Sequence, residues 1–333
     1  MKGLVYNSSQ VFSEWVLGEK AMYAETATAV VDIMVIACVA FAVSFFLTEK
    51  GLLFRILPVV LMVSTFRYTW SVQLNAGKCL VSLVTFTYMV RLWEICILRI
   101  YDYESLRERM LQCFGPVIEL CLKQQAPADS RKRLKLFGWM LFEMVANAIV
   151  YAMAIVLIQQ RYEWGIPLFV VYGLCAVTVL TVLTVEGVFN EMIFLVLDGS
   201  IPPKLMVYPY LSLSVREFWS KRWNRAVHYL LKRYIYIPAK VQLGLNSKVA
   251  TFLTFVGSGV YHIVPLYVGN VSNESLLSMV LFFVLQAIFM IVEVPLGEKH
   301  WPTSLRWLWV FCCTFGPVKL FVSPYLELID FTP

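Results

Sequence analysis

The 333 residues are 59% hydrophobic and only 15% charged, with a mean hydropathy of +0.70 and a formal net charge of +6. A soluble domain carries roughly 25% charged residues, so this chain lacks the charge to cover a water-facing surface, and a soluble globular protein is excluded. Apolar runs long enough to cross about 30 Å of hydrocarbon as helices predict an all-α polytopic membrane protein.

Spans are predicted at about 28–47, 52–66, 79–98, 137–158, 166–185, 249–268, 275–296 and 304–322, the second being short. Residues 1–25 lack the charged-then-apolar layout of a signal peptide, so the first span is expected to be an uncleaved anchor. Lys and Arg concentrate in the connections 99–135 and 204–248. With eight spans these connections share a side, which the positive-inside rule makes cytosolic, and the N-terminus and the loop 269–274 face the lumen. The N-x-S tripeptides at Asn7, Asn270 and Asn273 all fall on that lumenal side.

One membrane domain is expected over 1–333, with two amphipathic regions outside the spans. In the connector 102–135, Leu106, Met110, Phe114, Val117, Ile118 and Cys121 recur at helical spacing opposite Arg107, Glu108, Glu119 and Lys123. That pattern suits either a helix lying in the interface or a connector helix packed on the bundle. Residues 126–133 (APADSRKR) read as loop. The segment 198–248 is broken by Pro202, Pro203 and Pro209, after which Ser214 is the expected N-cap of a helix running to about Pro238. Val215, Phe218, Trp219, Trp223, Ala226, Val227, Leu230, Leu231 and Tyr234 share one broad face of it, and Arg216, Lys221, Arg222, Arg225, Lys232 and Arg233 fill most of the rest. Trp219 and Trp223 suit the headgroup level or a wall, and the cations suit anionic lipid or phosphates. Asn224 and His228, four apart, share a face.

Eight cysteines, mostly within apolar helices, form no C-x-x-C pair, so neither a disulfide framework nor a metal site is expected. The chain has three histidines, and His262 lies inside the apolar run 249–268. An ionisable side chain in a spanning helix is a functional-site hypothesis, against the alternative of a hydrogen-bonding residue that joins helices. Asp32, Arg91, Glu94, Glu143, Glu186 and Glu293 are further intramembrane groups, expected to pair or to line a tunnel, with Glu186 and Asn190 on a chamber wall.

FWSKRWN (218–224), continuing as RAVHYLLKRYIYIP, resembles the FW-x-x-x-W-N signature of the membrane-bound O-acyltransferases (MBOAT). GSGVYH (257–262) resembles the segment that carries that superfamily's histidine. The wording SLSVREFWSKRWN is most similar to the wax synthase branch, and WNRAVHYLLKRYIYIP also resembles the sterol and diacylglycerol acyltransferases. The resemblance covers about 209–265, and Ile263 stands where wax synthases often carry a glutamate directly after the histidine.

The resemblance implies a helical bundle with a central tunnel in the endoplasmic reticulum. It implies acyl transfer from acyl-CoA to a lipophilic alcohol, with no cofactor, no metal, no nucleic acid, and an oligomer left open. An alcohol needs a general base as it attacks a thioester, and the pKa of a neutral imidazole lies near operating pH. His262 is the expected base, with Ser258 one turn earlier to fix its tautomer. Asn224 supplies an amide donor for the carbonyl or oxyanion. Lys221, Arg222 and Arg225 are candidates for the CoA phosphates, and Trp219, Trp223 and His228 for lining the substrate. A different acceptor (sterol, diacylglycerol or terpenoid alcohol) fits the same residues. A transporter or lipid channel would instead use His262 as a proton relay, though no inverted repeat is visible.

Overall fold

The computed structural model describes residues 8–47, 51–98, 124–296 and 300–329, nearly all of them helical. Seven helices among these residues are long and apolar enough to cross a bilayer, so the protein is an all-α integral membrane protein. The amphipathic stretch 102–123 lies outside the described residues. The chain divides into two compact units, the first holding residues 8–47, 51–98 and 264–271 and the second 124–263, 272–296 and 300–329.

In the first unit, α1 (Ser8–Leu47) presents Ala29, Ile33, Ala37, Ala40 and Phe41 to the interior. The alanines on that stripe allow close helix approach, which is how helices associate where lipid removes the hydrophobic drive. α2 (Leu52–Ser64) has 13 residues and contains Pro58. At 1.5 Å per residue it reaches only about 20 Å, so the expected span 52–66 is too short to cross as a straight helix. After the short α3 (Arg67–Ser71), α4 (Asn75–Cys96) carries Arg91 and Glu94 one turn apart, both buried, with Nη1 3.1 Å from the carboxylate. Two of the intramembrane charges thus pair with each other, as groups excluded from water must.

The second unit opens with β1 (Gln124–Gln125), which pairs antiparallel with β2 (Ser200–Ile201). Between them stand two 30-residue helices, α5 (Ser130–Gln159) and α6 (Leu168–Leu197), each about 45 Å long. Asp129 caps α5 by accepting the Arg131 N–H at 2.8 Å. The connector expected at 102–135 therefore ends inside α5, and α6 continues twelve residues past the expected end of its span. Glu143 on α5 pairs with Lys204 at 3.1 Å.

The unit is completed by α7 (Val215–Glu217), α8 (Arg225–Leu231), residues 247–263 of α9 (Ser247–Val268), α10 (Asn273–Glu293), α11 (Thr303–Phe315) and α12 (Val318–Ile329). The expected last span, 304–322, falls within Thr303–Leu328, a crossing-length segment that α11 and α12 make together with a break between them. The break falls at Gly316–Pro317, where proline offers no N–H to continue the ladder.

Candidate active site

The motif segment is not one continuous helix. Ser214 caps α7 as expected, its Oγ accepting the Glu217 N–H at 2.9 Å, while Glu217 reaches back to accept the Leu213 N–H at 2.9 Å. This is close to a reciprocal capping box. A second carboxylate completes the cap: Glu293, buried at the end of α10, accepts the backbone N–H of Val215 at 2.8 Å and of Arg216 at 3.2 Å. α7 runs directly into a π turn at Phe218–Arg222, and the chain then breaks. Trp223 is extended (φ −91°, ψ 128°) and Asn224 is left-handed (φ 34°, ψ 67°).

Asparagine tolerates the left-handed region better than other residues with a Cβ. Here it also starts α8, its Oδ1 accepting the Val227 N–H at 3.3 Å. The break is clamped by residues 205–207: Val207 N–H donates to the Arg222 carbonyl at 2.9 Å and Arg225 N–H to the Leu205 carbonyl at 3.0 Å. Two further π turns follow, Lys232–Tyr236 and Pro238–Gln242. Side-chain periodicity predicted a single helix here because it cannot register a π turn or one left-handed residue; such turns are frequent at functional sites.

The break faces a cavity of about 330 Å³ within the second unit, whose wall includes Asn224, His228, Ser258, His262, Arg216 and Lys232. Trp219 and Trp223 line it too. Trp219 sits among Phe255, Phe282 and Phe283, and its Nε1 donates to Gln286 at 3.1 Å. Gln286 is fully buried and donates in turn to the Cys313 carbonyl at 2.9 Å. Trp223 stacks on Phe218 with centroids 5.4 Å apart. These tryptophans form wall. The headgroup position does not apply to Trp219, because its polar edge is spent on a buried amide.

Of the three cations expected at the phosphates, none lines the cavity. Lys221 is exposed. Arg222 is bound to Glu217 at 2.7 Å and donates to the Val207 carbonyl at 3.1 Å. Burial raises the Glu217 pKa, but the Leu213 N–H and Arg222 outweigh it and hold the carboxyl below its ordinary value. Arg225 donates to the Tyr229 hydroxyl at 2.9 Å and the Lys204 carbonyl at 3.3 Å. Arg216 and Lys232 take the place at the wall instead. Glu186 and Asn190 are absent from this wall.

His262 is gripped on three sides. Its ring stacks on Phe283 (5.0 Å, 16°), meets Phe321 edge-on at 5.6 Å, and places Nδ1 3.2 Å from the Tyr325 hydroxyl. The hydrogen-bond partner is therefore Tyr325 and not Ser258, which faces the cavity one turn earlier. Gly257 lets the π-turn residue Ile235 lie against α9: a Cβ there would collide with Ile235 Cδ1. Tyr325 and Gln286 escaped the sequence reading for different reasons. Tyr325 lies beyond the expected end of the last span, whereas Gln286 and Glu293, seven apart on one face of an apolar helix, carried a legible signal.

His228 is a second imidazole on the wall. Burial, reinforced by Lys232 and Arg225, pushes its pKa down to about 4, so the ring is neutral at pH 7. An unfolded histidine titrates near 6.5. Below that pH the unfolded chain binds a proton that the folded site refuses, so this group's contribution to stability is full above about 6.5 and lost as pH falls towards 4. Thermal unfolding in detergent between pH 8 and 4 is expected to show a smaller acid loss in His228→Gln than in the wild type. Parallel curves would contradict the assignment.

Residues 202–285 match the model of the membrane bound O-acyl transferase family. The chain is 31% identical over 118 residues to probable long-chain-alcohol O-fatty-acyltransferase 7 of Arabidopsis thaliana, covering 32% of this chain and 34% of that protein. It is 27% identical over 194 residues to putative long-chain-alcohol O-fatty-acyltransferase 10 of the same plant, covering 56% and 55%. It is 32% identical over 96 residues to Arabidopsis acyl-CoA–sterol O-acyltransferase 1, covering 27% of each. The matches span about half the length of these curated relatives or less. The resemblance carried by FWSKRWN and GSGVYH is borne out over this stretch, which holds both motifs and the cavity-facing residues between them.

Proposed function

We propose, with that family match as the premise, that the chain is an acyl-CoA-dependent O-acyltransferase that esterifies a long-chain alcohol in the endoplasmic-reticulum membrane. The observation that carries the reading is the joint presence of His262 and Asn224 on one cavity wall, with Arg216 and Lys232 on the same wall. His262 Nε2 takes the hydroxyl proton as the alcohol oxygen attacks the thioester carbonyl carbon. The oxyanion accepts from the Asn224 amide. The tetrahedral intermediate collapses by breaking the C–S bond, and the imidazolium returns the proton to the departing sulfur. Ester and free CoA leave, and no acyl-enzyme forms.

The donor is anionic at its head and arrives from the side bearing the basic connections. Two 30-residue helices of crossing length between those connections support both lying on one side, the cytosolic one by the positive-inside rule. A lumenal N-terminus additionally requires α2 to cross. The cations Arg216 and Lys232 then meet the CoA phosphates. Replacing both by Ala is expected to raise the KM for acyl-CoA about 10-fold or more with kcat nearly kept, the signature of lost uniform binding. A fall in kcat at unchanged KM would place the phosphates elsewhere.

Purified protein in liposomes, given labelled acyl-CoA and a panel of fatty alcohol, sterol, diacylglycerol and terpenoid alcohol, tests the reading. Wax ester is the expected product. Ester formed only with sterol would move the acceptor to the class named for the sterol relative. Substrate movement across the bilayer with no ester would establish a transporter.

A further inference from the structure

The side chains that pack around His262 include one that neither family motif contains. We propose that Tyr325 is the positioning residue of the reaction: its phenol oxygen accepts the Nδ1–H of His262, which leaves the lone pair of Nε2 to the cavity. The inference rests on the acyl-transfer reading and adds the residue that makes the imidazole a base in the required tautomer.

The geometry begins with α12. Phe321 and Tyr325 are four apart, so they share a face, and both address the same imidazole, one by a ring edge at 5.6 Å and the other by its hydroxyl at 3.2 Å. Their own rings lie 5.5 Å apart. The helix that carries them is pinned to α10 on both sides of Tyr325. Pro324 has no N–H to give the Leu320 carbonyl four residues back, and that carbonyl accepts from Ser278 Oγ at 3.0 Å instead. Three residues after Pro324, towards the far end of the helix, Glu327 accepts the Ser272 N–H at 2.7 Å and its hydroxyl at 2.9 Å. α10 also supplies Phe283, on which the imidazole stacks.

The ring therefore has its face fixed by Phe283, its edge by Phe321 and one nitrogen by Tyr325. A neutral imidazole carries its proton on one nitrogen only, and the partner of the other decides which. With Nδ1 donating to the phenol oxygen, Nε2 is the acceptor. That is the arrangement in which a third group orients the base. Ile263, following the histidine, offers no side-chain acceptor for that task.

Tyr325→Phe removes one oxygen, and with it the hydrogen bond to His262, and keeps the ring packed on Phe321. Two readouts are taken on the full-length protein in detergent. In steady-state transfer, kcat is expected to fall about 10- to 100-fold with KM for acyl-CoA unchanged. In the absence of substrates, diethyl pyrocarbonate acylates the free imidazole nitrogen, and peptide mass spectrometry follows His262 with His228 and His300 as references in the same molecule. Labelling of His262 is expected to slow several-fold in the variant while the references keep their rates. Unchanged labelling, or faster labelling, overturns the positioning role even where esters form. Slowed labelling in a protein whose wild type forms no ester upholds the role of Tyr325 on the ring and overturns the acyl-transfer reading instead.

Discussion

Replacing His262 by Ala is expected to abolish ester formation, lowering kcat by about 10²- to 10⁴-fold, the range of a positioned general base. At 1.36 kcal/mol per decade that corresponds to about 3–5 kcal/mol of lost transition-state stabilisation. The loss belongs to the chemical step because the cavity survives the change: Trp219, Trp223 and Phe283 line it independently of the imidazole. The stacked contact with Phe283 disappears with the ring, so unfolding is compared alongside activity, and the two are separable if the melting curve moves little while kcat collapses. Acyl-CoA should still bind with nearly its original affinity. A variant that retains full turnover would show that the base lies elsewhere, and His228, neutral and on the same wall, would be the next group to test.

Asn224→Asp separates the two tasks of one side chain. Oδ1 starts α8 by accepting the Val227 N–H, and a carboxylate does this as well as an amide and favours the helix N-terminus by its charge. Aspartate also tolerates the left-handed backbone at φ 34°. The fold and its stability should therefore be kept. What is lost is the amide NH₂, the proposed donor to the oxyanion, and a negative charge replaces it where the proposed reaction develops negative charge. Removing one such donor costs about 10²- to 10³-fold in kcat, and the measured fall should reach or exceed that range. Asn224→Gly, which keeps the backbone conformation and drops both the cap and the donor, should be as inactive and slightly less stable. Full activity in Asn224→Asp would reduce Asn224 to a capping residue.

The long helices were legible from the sequence because apolar run length alone decides them in a bilayer. The errors lie where backbone geometry, not polarity, is decisive. α6 continues past its expected end because Glu186, Asn190 and Glu191 look like a helix terminus in a hydropathy profile yet are accommodated in the fold, Asn190 and Glu191 being buried. The motif helix breaks at Trp223–Asn224 because a left-handed asparagine leaves no mark on side-chain periodicity. Of the candidate site, His262, Asn224, His228, Ser258, Trp219 and Trp223 come together on one wall. Lys221, Arg222 and Arg225 do not line the cavity, because which Lys or Arg reaches it depends on the π turn and on Glu217 capturing Arg222, neither of which composition can reveal. Tyr325 comes to the imidazole across a separation of 63 residues, a contact that only the packing of α12 on α10 creates.

The central claim is that the imidazole of His262 meets the hydroxyl at the moment of transfer. The most direct measurement is an experimental structure of the protein with a non-hydrolysable acyl-CoA analogue and a long-chain alcohol bound together. The expected result is the alcohol oxygen within about 2.6–3.2 Å of His262 Nε2, with the donor carbonyl directed at the Asn224 amide. A donor carbonyl seated outside this cavity, with the imidazole out of reach of any hydroxyl, would contradict it.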